Sequence, residues 1–412
     1  MVDRITIDPG LVESFLMELA AFGAYGPTGV WRPVYTPEWQ AAQDQYASWS
    51  VDSGLHVRRD AVGNVWGTLP SHDGGPSIVT GSHIDSQRPG GRYDGALGAI
   101  GALIALRALR EQAGTPLRTL EALSMCEEES SRFPGANFWG SRAITGRIHE
   151  GETDTLRDYE GETMGDAMRA VGLDALRIAS AERHDVDRFL ELHIEQGPVL
   201  EHAGLPAGVV TGITGIRHSV VEIGGRADHA GAVPMDLRKD PMPAFTAIAS
   251  GVIGSAMEMG RPAVTTVGRV VVDPNLPAIV PDKVTFTIDA RHPDPEGRER
   301  LYARHADIVN RVTQEGHLPI SSRIVMDQPP CPCDPDLVDL IDQVAADLNV
   351  PTMRLHSGAG HDSQVMARIA KVAMIFVRSK DGRSHTPDEF TSIEDATIGI
   401  TLLANALFKL AY

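Results

Sequence analysis

The stretch Gly81-Ser82-His83-Ile84-Asp85-Ser86, continued by Gly90-Gly91-Arg92-Tyr93-Asp94-Gly95-Ala96-Leu97-Gly98, decides the fold of this 412-residue chain. It carries a His and an Asp, each in a glycine-rich setting. Upstream, residues 77–80 form a β-branched apolar run that predicts a short buried strand. Downstream, residues 96–110 are rich in Ala, Leu and Ile and predict a helix. A strand end, a loop and a helix start are where an α/β fold gathers its ligands.

Working outward, residues 11–21 and 37–53 predict amphipathic helices. Residues 62–69, 117–125 and 189–194 predict strands, the last ending in His193-Ile194. This alternation argues for an α/β catalytic domain with a mixed, largely parallel sheet and helices on its faces. The Gly-, Val- and Thr-rich stretch 204–215 marks a change. Strands over 218–224, 264–272 and 283–292 and helices over 241–257 and 296–314 predict a small α+β sandwich, inserted at 212–329. In the 283–292 strand, Val284, Phe286, Ile288 and Ala290 alternate with Lys283, Thr285, Thr287, Asp289 and Arg291, the pattern of a half-buried strand. A helix over 336–348, a strand over 374–377 and a helix over 393–410 then return to α/β character. Residues 1–211 and 330–412 are thus expected to form one domain.

Composition narrows the partners. The net charge of −18 disfavours nucleic acid and anionic membranes, which need a basic surface. No stretch reaches the 18 or so apolar residues of a membrane span, and no signal peptide is expected. Cys126, Cys331 and Cys333 cannot make an even disulfide framework, which fits a reducing cytoplasm.

Several residues carry chemistry. His83 and Asp94 come first, with Asp85 placed to accept the second ring N–H of His83 and fix its tautomer. Asp94 opens a helix, where an Asp is often only a cap. Glu127-Glu128-Glu129 follows an apolar strand. As a surface run it needs no function; near divalent ions, one Glu can ligate and its neighbour can act as general base. His193 and Glu195 share one face of a strand if it continues. His385 lies just past the 374–377 strand. Each His alone is ordinary, but three His, an Asp and a Glu near strand ends of one sheet are less so. Ser357-Gly358-Ala359-Gly360-His361-Asp362 is either a plain turn or a backbone cradle for a carboxylate. His229 lies in the inserted segment.

Taken together, Gly-Ser-His-Ile-Asp-Ser, Gly-Gly-Arg-Tyr-Asp-Gly-Ala-Leu-Gly, Glu-Glu-Ser-Ser-Arg-Phe, His-Ile-Glu-Gln-Gly, Ala-Asp-His-Ala-Gly and Gly-Ala-Gly-His-Asp resemble the M20 metallopeptidase superfamily. Within it they resemble the branch of N-carbamoyl-L-amino acid hydrolases, β-ureidopropionases and allantoate amidohydrolases. The resemblance runs from Gly29 to the C-terminus. It implies a metallopeptidase-type catalytic domain, an inserted lid and dimerisation domain, and a homodimer. It implies two divalent ions per subunit (Zn, Mn, Co or Ni), held by His83, Asp94, Glu129, His193 and His385, with Asp94 bridging. The motif register makes Glu128 the base. His229 would reach the partner subunit's site and stabilise the oxyanion. Arg291 would hold a substrate carboxylate, and Gln196, Arg217, Gly360 and His361 would face the pocket.

There are three departures from the pattern. Ser130 stands where the family has Gly, Ala232-Val233 where it has Thr-Thr, and Ala278 where it has a substrate-holding Asn. The expectation is hydrolysis of a linear amide or ureido bond in a small carboxylate-bearing molecule, an N-carbamoyl or related N-substituted amino acid. The alternatives are an N-acyl amino acid or other amide hydrolase, an allantoate amidohydrolase, or a metal-dependent binding protein without turnover.

Overall fold

Four parallel strands form the centre of the main sheet in the computed structural model, which describes residues 3–316 and 318–412. They run in the order Lys371–Val377, Val186–Ile194, Ser77–His83, Leu120–Met125. Ala207–Ile213 flanks one side, and Val65–Leu69 followed by His56–Arg59 the other, all antiparallel. The central strands are buried along nearly their whole length, as expected where helices cover both faces of a sheet.

Chain order fixes where a site forms. The chain passes from Ser77–His83 to its neighbour Leu120–Met125, then crosses to the other side at Val186–Ile194. Strand order reverses there, and the crevice outside the carboxyl ends of such strands is the binding place of an open α/β sheet. The helix Ala96–Ala113 is buried along most of its surface, packed against the sheet, Pro9–Ala21 and Ile393–Ala411. Its Ala- and Leu-rich sequence suits that enclosure.

Some boundaries differ from expectation for local reasons. Pairing begins at Val65 rather than 62, because the Asp60 carboxylate accepts the N–H groups of Val62 and Asn64 in a turn. The 117–125 strand begins at Leu120; Leu117 N–H instead bonds Ala411 O, at 2.7 Å. The 77–80 strand runs on to His83. The Gly204–Gly215 stretch contains the strand Ala207–Ile213.

Backbone contacts divide the chain into two compact units: residues 3–211 with Cys333–Leu355 and Ala359–Tyr412, and Gly212–Pro332 with His356–Gly358. The second has a four-stranded antiparallel sheet in the order Val264–Asp273, Lys283–His292, Gly215–Gly224, Ile320–Gln328. Its fourth strand is one more than the sequence predicts. Val221, Ile223, Val284, Phe286 and Ile288 build its core with Ile248 and Val252 of the helix Pro241–Met259 and Val312 of Pro295–Gly316. The alternation in Lys283–His292 is thus the alternation of buried and half-exposed side chains. Among the described residues no helix is long and apolar enough to cross a membrane, and none of the cysteines is in a disulfide.

Candidate metal centre

His83 ends its strand and His193 is the penultimate residue of the next. Their rings lie 5.9 Å apart, centroid to centroid. The imidazole Nδ1 of His83 is 3.1 Å from Asp85 O, and that of His193 is 2.9 Å from Ile194 O. A carbonyl only accepts, so both Nδ1 atoms carry a proton, and both Nε2 atoms are aimed inward, where each offers a lone pair once the ring is neutral. Nε2 of His193 lies 3.2 Å and Nε2 of His83 3.7 Å from Asp94 Oδ1.

The other oxygen of Asp94 faces a different group. Asp94 Oδ2 is 3.2 Å from His385 Nε2, which is 3.5 Å from Glu129 Oε1. Two ligand sets therefore share Asp94: His83, Asp94, His193 and Asp94, Glu129, His385. Ligands about 2.1 Å from one tetrahedral ion sit roughly 3.4 Å apart, close to these spacings. Glu129 Oε1 is buried without a hydrogen-bond partner, which a cation would satisfy. Gly95 completes the fit. It is left-handed (φ 62°), and a Cβ there would lie 2.4 Å from the His83 ring. These residues fit divalent ions, and three imidazoles with two carboxylates suit Zn, Mn, Co or Ni.

The electrostatics agree. Burial works against charge on His193, yet the Asp94 carboxylate raises its pKa to about 9. His385 rises to about 9 in the same way, against burial and through Asp94 and Glu129. Burial and then Asp94 raise Glu129 to about 8. Asp94 itself is held well below the usual carboxylate range despite burial, through hydrogen bonds with His193 and His385.

The acidic triplet splits three ways. Glu127 turns inward, and its Oε1 accepts the N–H groups of Arg132 and Phe133 at 3.3 and 2.9 Å. Glu128 places Oε2 3.8 Å from His83 Nε2. Glu129 faces Asp94 and His385. Glu128 is 9 % exposed; burial and then Glu129 and Asp362 raise its pKa well above the ordinary value.

Asp85 holds a different place from the one expected. The ring N–H of His83 goes to its backbone carbonyl. Its carboxylate accepts the N–H groups of Glu128 and Glu129, at 3.3 and 3.2 Å. It thereby sets the direction of the two glutamates. Glu195 also leaves the expected strand face, because its carboxylate accepts Val199 N and Leu200 N. Asp94 is no cap: the helix N-cap is Gly95.

Among the pocket residues expected, Gln196 joins this cluster, with Nε2 2.9 Å from Asp94 Oδ2. His361 is buried with its ring 4.6 Å from that of His193, and burial drives its pKa well below the ordinary value. Gly360 lies against Phe138, whose Cζ would be 3.0 Å from a Cβ. Arg291 belongs to the second unit. Its Nε and Nη2 donate to both oxygens of Asp289 at 2.9 and 2.8 Å, and Nη1 donates to Gly358 O at 2.6 Å. Arg217 pairs in register with Ala290, next to Ile288 on the helix-covered face. It stacks 4.0 Å over Tyr302 and bonds Asp327. The structure therefore sends Arg217 and Arg291 to opposite faces of one sheet. Asp289 and Arg291 share the other face with His218. His229 is exposed in the second unit, where its Nδ1 accepts from Gly231 N and Ala232 N.

Sequence reasoning misses Gln87, Ser384, Glu191 and Glu389. Gln87 Nε2 donates to Glu129 Oε2 at 2.8 Å. Buried Glu191 accepts from Ser82 Oγ and Ser363 Oγ beside the His193–His361 pair. Only their closeness in sequence to the motif residues hints at any of them. Ser130 is explained: its φ of 54° lies in the region that glycine occupies freely and other residues enter at roughly 1–2 kcal/mol. Its hydroxyl bonds Phe133 O and accepts Gly135 N.

The chain is similar to known proteins over nearly its whole length. Residues 79–409 match the family described as Peptidase family M20/M25/M40. The chain is 39 % identical to allantoate amidohydrolase of Escherichia coli (strain K12), over 97 % of this chain and 98 % of that protein. It is 36 % identical to the N-carbamoyl-L-amino-acid amidohydrolase of Paenarthrobacter aurescens, over 96 % of each. A crystal structure of an amidase of the hydantoinase/carbamoylase family from Burkholderia multivorans superposes with a TM-score of 0.92, at 30 % identity, covering 99 % of this chain and 98 % of that one.

Proposed function

The chain belongs to peptidase family M20/M25/M40, and on that premise we propose that it is a metal-dependent amidohydrolase. It cleaves a linear, non-peptide C–N bond in a small carboxylate-bearing molecule, with an N-carbamoyl amino acid or a related ureido acid such as allantoate as substrate class. One observation carries this reading: the two oxygens of Asp94 face two separate ligand sets, with Glu128 beside one of them.

His83, Asp94 and His193 would hold one divalent ion, and Asp94, Glu129 and His385 a second. Bound there, such ions supply Lewis acidity, which acidifies water and polarises a carbonyl. Glu128 takes the proton of the attacking water. Placed beside that water, it then passes the proton to the leaving nitrogen. With a carbamoyl substrate, the products are the amine, carbon dioxide and ammonia. Asp85 keeps Glu128 and Glu129 in their directions. His229, whose Nδ1 accepts Gly231 N and Ala232 N and so leaves its proton on Nε2, donates that N–H to the developing oxyanion, and Arg291 receives the carboxylate through Nη1 in exchange for its bond to Gly358 O. The direct test is a screen of N-carbamoyl and N-acyl amino acids and allantoate with metal-reconstituted protein, following ammonia. Acyl turnover without ammonia would replace this reading with an acylase.

The substrate grip should differ from that of relatives with Asn at position 278. Ala278 offers no side-chain hydrogen bond; its carbonyl accepts Ala230 N, beside the His229–Ile279 pairing. A neutral hydrogen bond is worth about 0.5–1.5 kcal/mol net. We expect weak turnover of small N-carbamoyl amino acids and better turnover of bulkier amides; efficient turnover of N-carbamoyl-glycine but not of bulky analogues would contradict this. Arg291→Lys should raise KM by roughly 10- to 100-fold, since hydrogen bonds to charged groups are worth about 1.5–3 kcal/mol and a point charge does not replace the planar fork.

The protein is proposed to act as a cytoplasmic homodimer through its second unit. That unit exposes Ile253 and Met257 on Pro241–Met259, and Val264 and Val270 on the edge strand Val264–Asp273. An open strand edge beside apolar side chains is a surface for pairing. If His229 serves the partner's site, mixing inactive His229→Ala with inactive Glu128→Gln should restore activity in hybrid dimers. No recovery after verified subunit exchange would refute sharing.

A further inference from the structure

We propose that Glu389 is a positioning residue that clamps Asp94 between the two ligand sets. The proposal rests on the reading of His83, Asp94, Glu129, His193 and His385 as metal ligands. Glu389 is buried, 4 % exposed. Its Oε1 accepts the N–H groups of Tyr93 and Asp94, at 2.9 and 3.0 Å. Its Oε2 accepts from Ser384 Oγ at 2.8 Å, and the same hydroxyl lies 2.8 Å from Asp94 Oδ2. A serine hydroxyl has one proton, so Ser384 shares it between two carboxylates.

Room for this clamp is built in. A Cβ on Gly91 would sit 2.1 Å from Glu389 Oε1, so only glycine lets the carboxylate reach the backbone of 93–94. The N–H of Glu389 itself donates to Thr386 O at 3.1 Å, within the turn that carries His385. One side chain therefore ties the loop that presents Asp94 to the turn that presents His385. His83 and His193 sit on sheet strands and need no such tie. His385 and Glu129 sit on loops, so the Asp94–Glu129–His385 set depends on the clamp most.

The variants separate geometry from charge. Glu389→Gln keeps an oxygen for the two N–H groups and offers an amide to Ser384, whose proton then turns to Asp94. Glu389→Ala removes all of these links. Metal-free full-length proteins are titrated with Mn2+ by calorimetry, and bound metal is counted by elemental analysis. Hydrogen exchange at the Tyr93 and Asp94 amides is measured in the same metal-free samples. The expected result is two ions in the wild type and in Glu389→Gln. In Glu389→Ala one ion remains, the second binds at least tenfold more weakly, and both amides exchange at least tenfold faster. Ser384→Ala, which leaves the backbone clamp intact, should weaken only the second ion and leave exchange at 93–94 unchanged. Wild-type exchange and two wild-type affinities in Glu389→Ala would overturn the proposal, as would a Glu389→Gln variant as defective as Glu389→Ala. If the wild type itself bound no ion, the ligand reading would fall, while the exchange data would still decide whether Glu389 clamps the loop.

Discussion

Glu128→Gln is expected to keep its metal and to lose about 10²–10⁴-fold in kcat, the usual contribution of a positioned general base. The expectation follows from placement. Glu128 Oε2 approaches His83 Nε2 at 3.8 Å, while Glu129 alone of the triplet joins Asp94 and His385 in a ligand set. Glu129→Gln should therefore lose metal, with activity falling as a consequence, and added metal should restore part of it. The two variants are distinguished by bound metal measured beside kcat. If the phenotypes were exchanged, the roles of the two glutamates would be exchanged with them. Asp85→Ala should damage both roles, because one carboxylate holds the N–H groups of both residues.

Removal of metal by a chelator should abolish hydrolysis, and Mn2+, Co2+, Ni2+ or Zn2+ should restore it to different degrees. Full activity in protein shown by elemental analysis to be metal-free would end the mechanism. Two further readouts follow. Each ion that binds only the folded chain stabilises it by about 2.7 kcal/mol at 100 times its Kd, so thermal unfolding should shift upward on reconstitution. Affinity should also depend on pH with a definite sign. In the metal-free protein, the carboxylates, above all Asp94, overcome burial to raise His193 and His385 to about 9. Below that pH both rings carry protons that a metal must displace. Metal affinity should therefore fall as pH drops from about 9, by up to about tenfold per unit for each displaced proton. Affinity independent of pH across 6–9 would show that these rings are not ligands.

The alternation of apolar and polar residues in Lys283–His292 reports its burial directly, and the apolar strands and the Ala-rich helix report the central sheet, because burial on one or both faces leaves a periodic trace. The candidate ligands, which the family resemblance implied, were also legible as a group for a related reason. His83, His193 and the acidic triplet lie within or just beyond strands whose ends converge on one crevice once the strands pair in parallel. Ile320–Gln328 left no such trace. Its sequence, Ile-Ser-Ser-Arg-Ile-Val-Met-Asp-Gln, is mostly exposed and becomes a strand only because Gly215–Gly224 offers it hydrogen bonds.

What the sequence by itself determined is the class of fold, the residue types of the metal centre and the family. The tertiary structure decided directions. It turned Glu127 away and Glu129 toward Asp94, gave the ring proton of His83 to a backbone carbonyl rather than to the Asp85 carboxylate, put Arg217 on the opposite face from Arg291, and brought Glu389 to the backbone of Tyr93 and Asp94. Each of these is a hydrogen bond or register between segments far apart in the chain or around a turn. Periodicity and spacing describe only neighbours along the chain, so such choices appear only when the strands have found their partners.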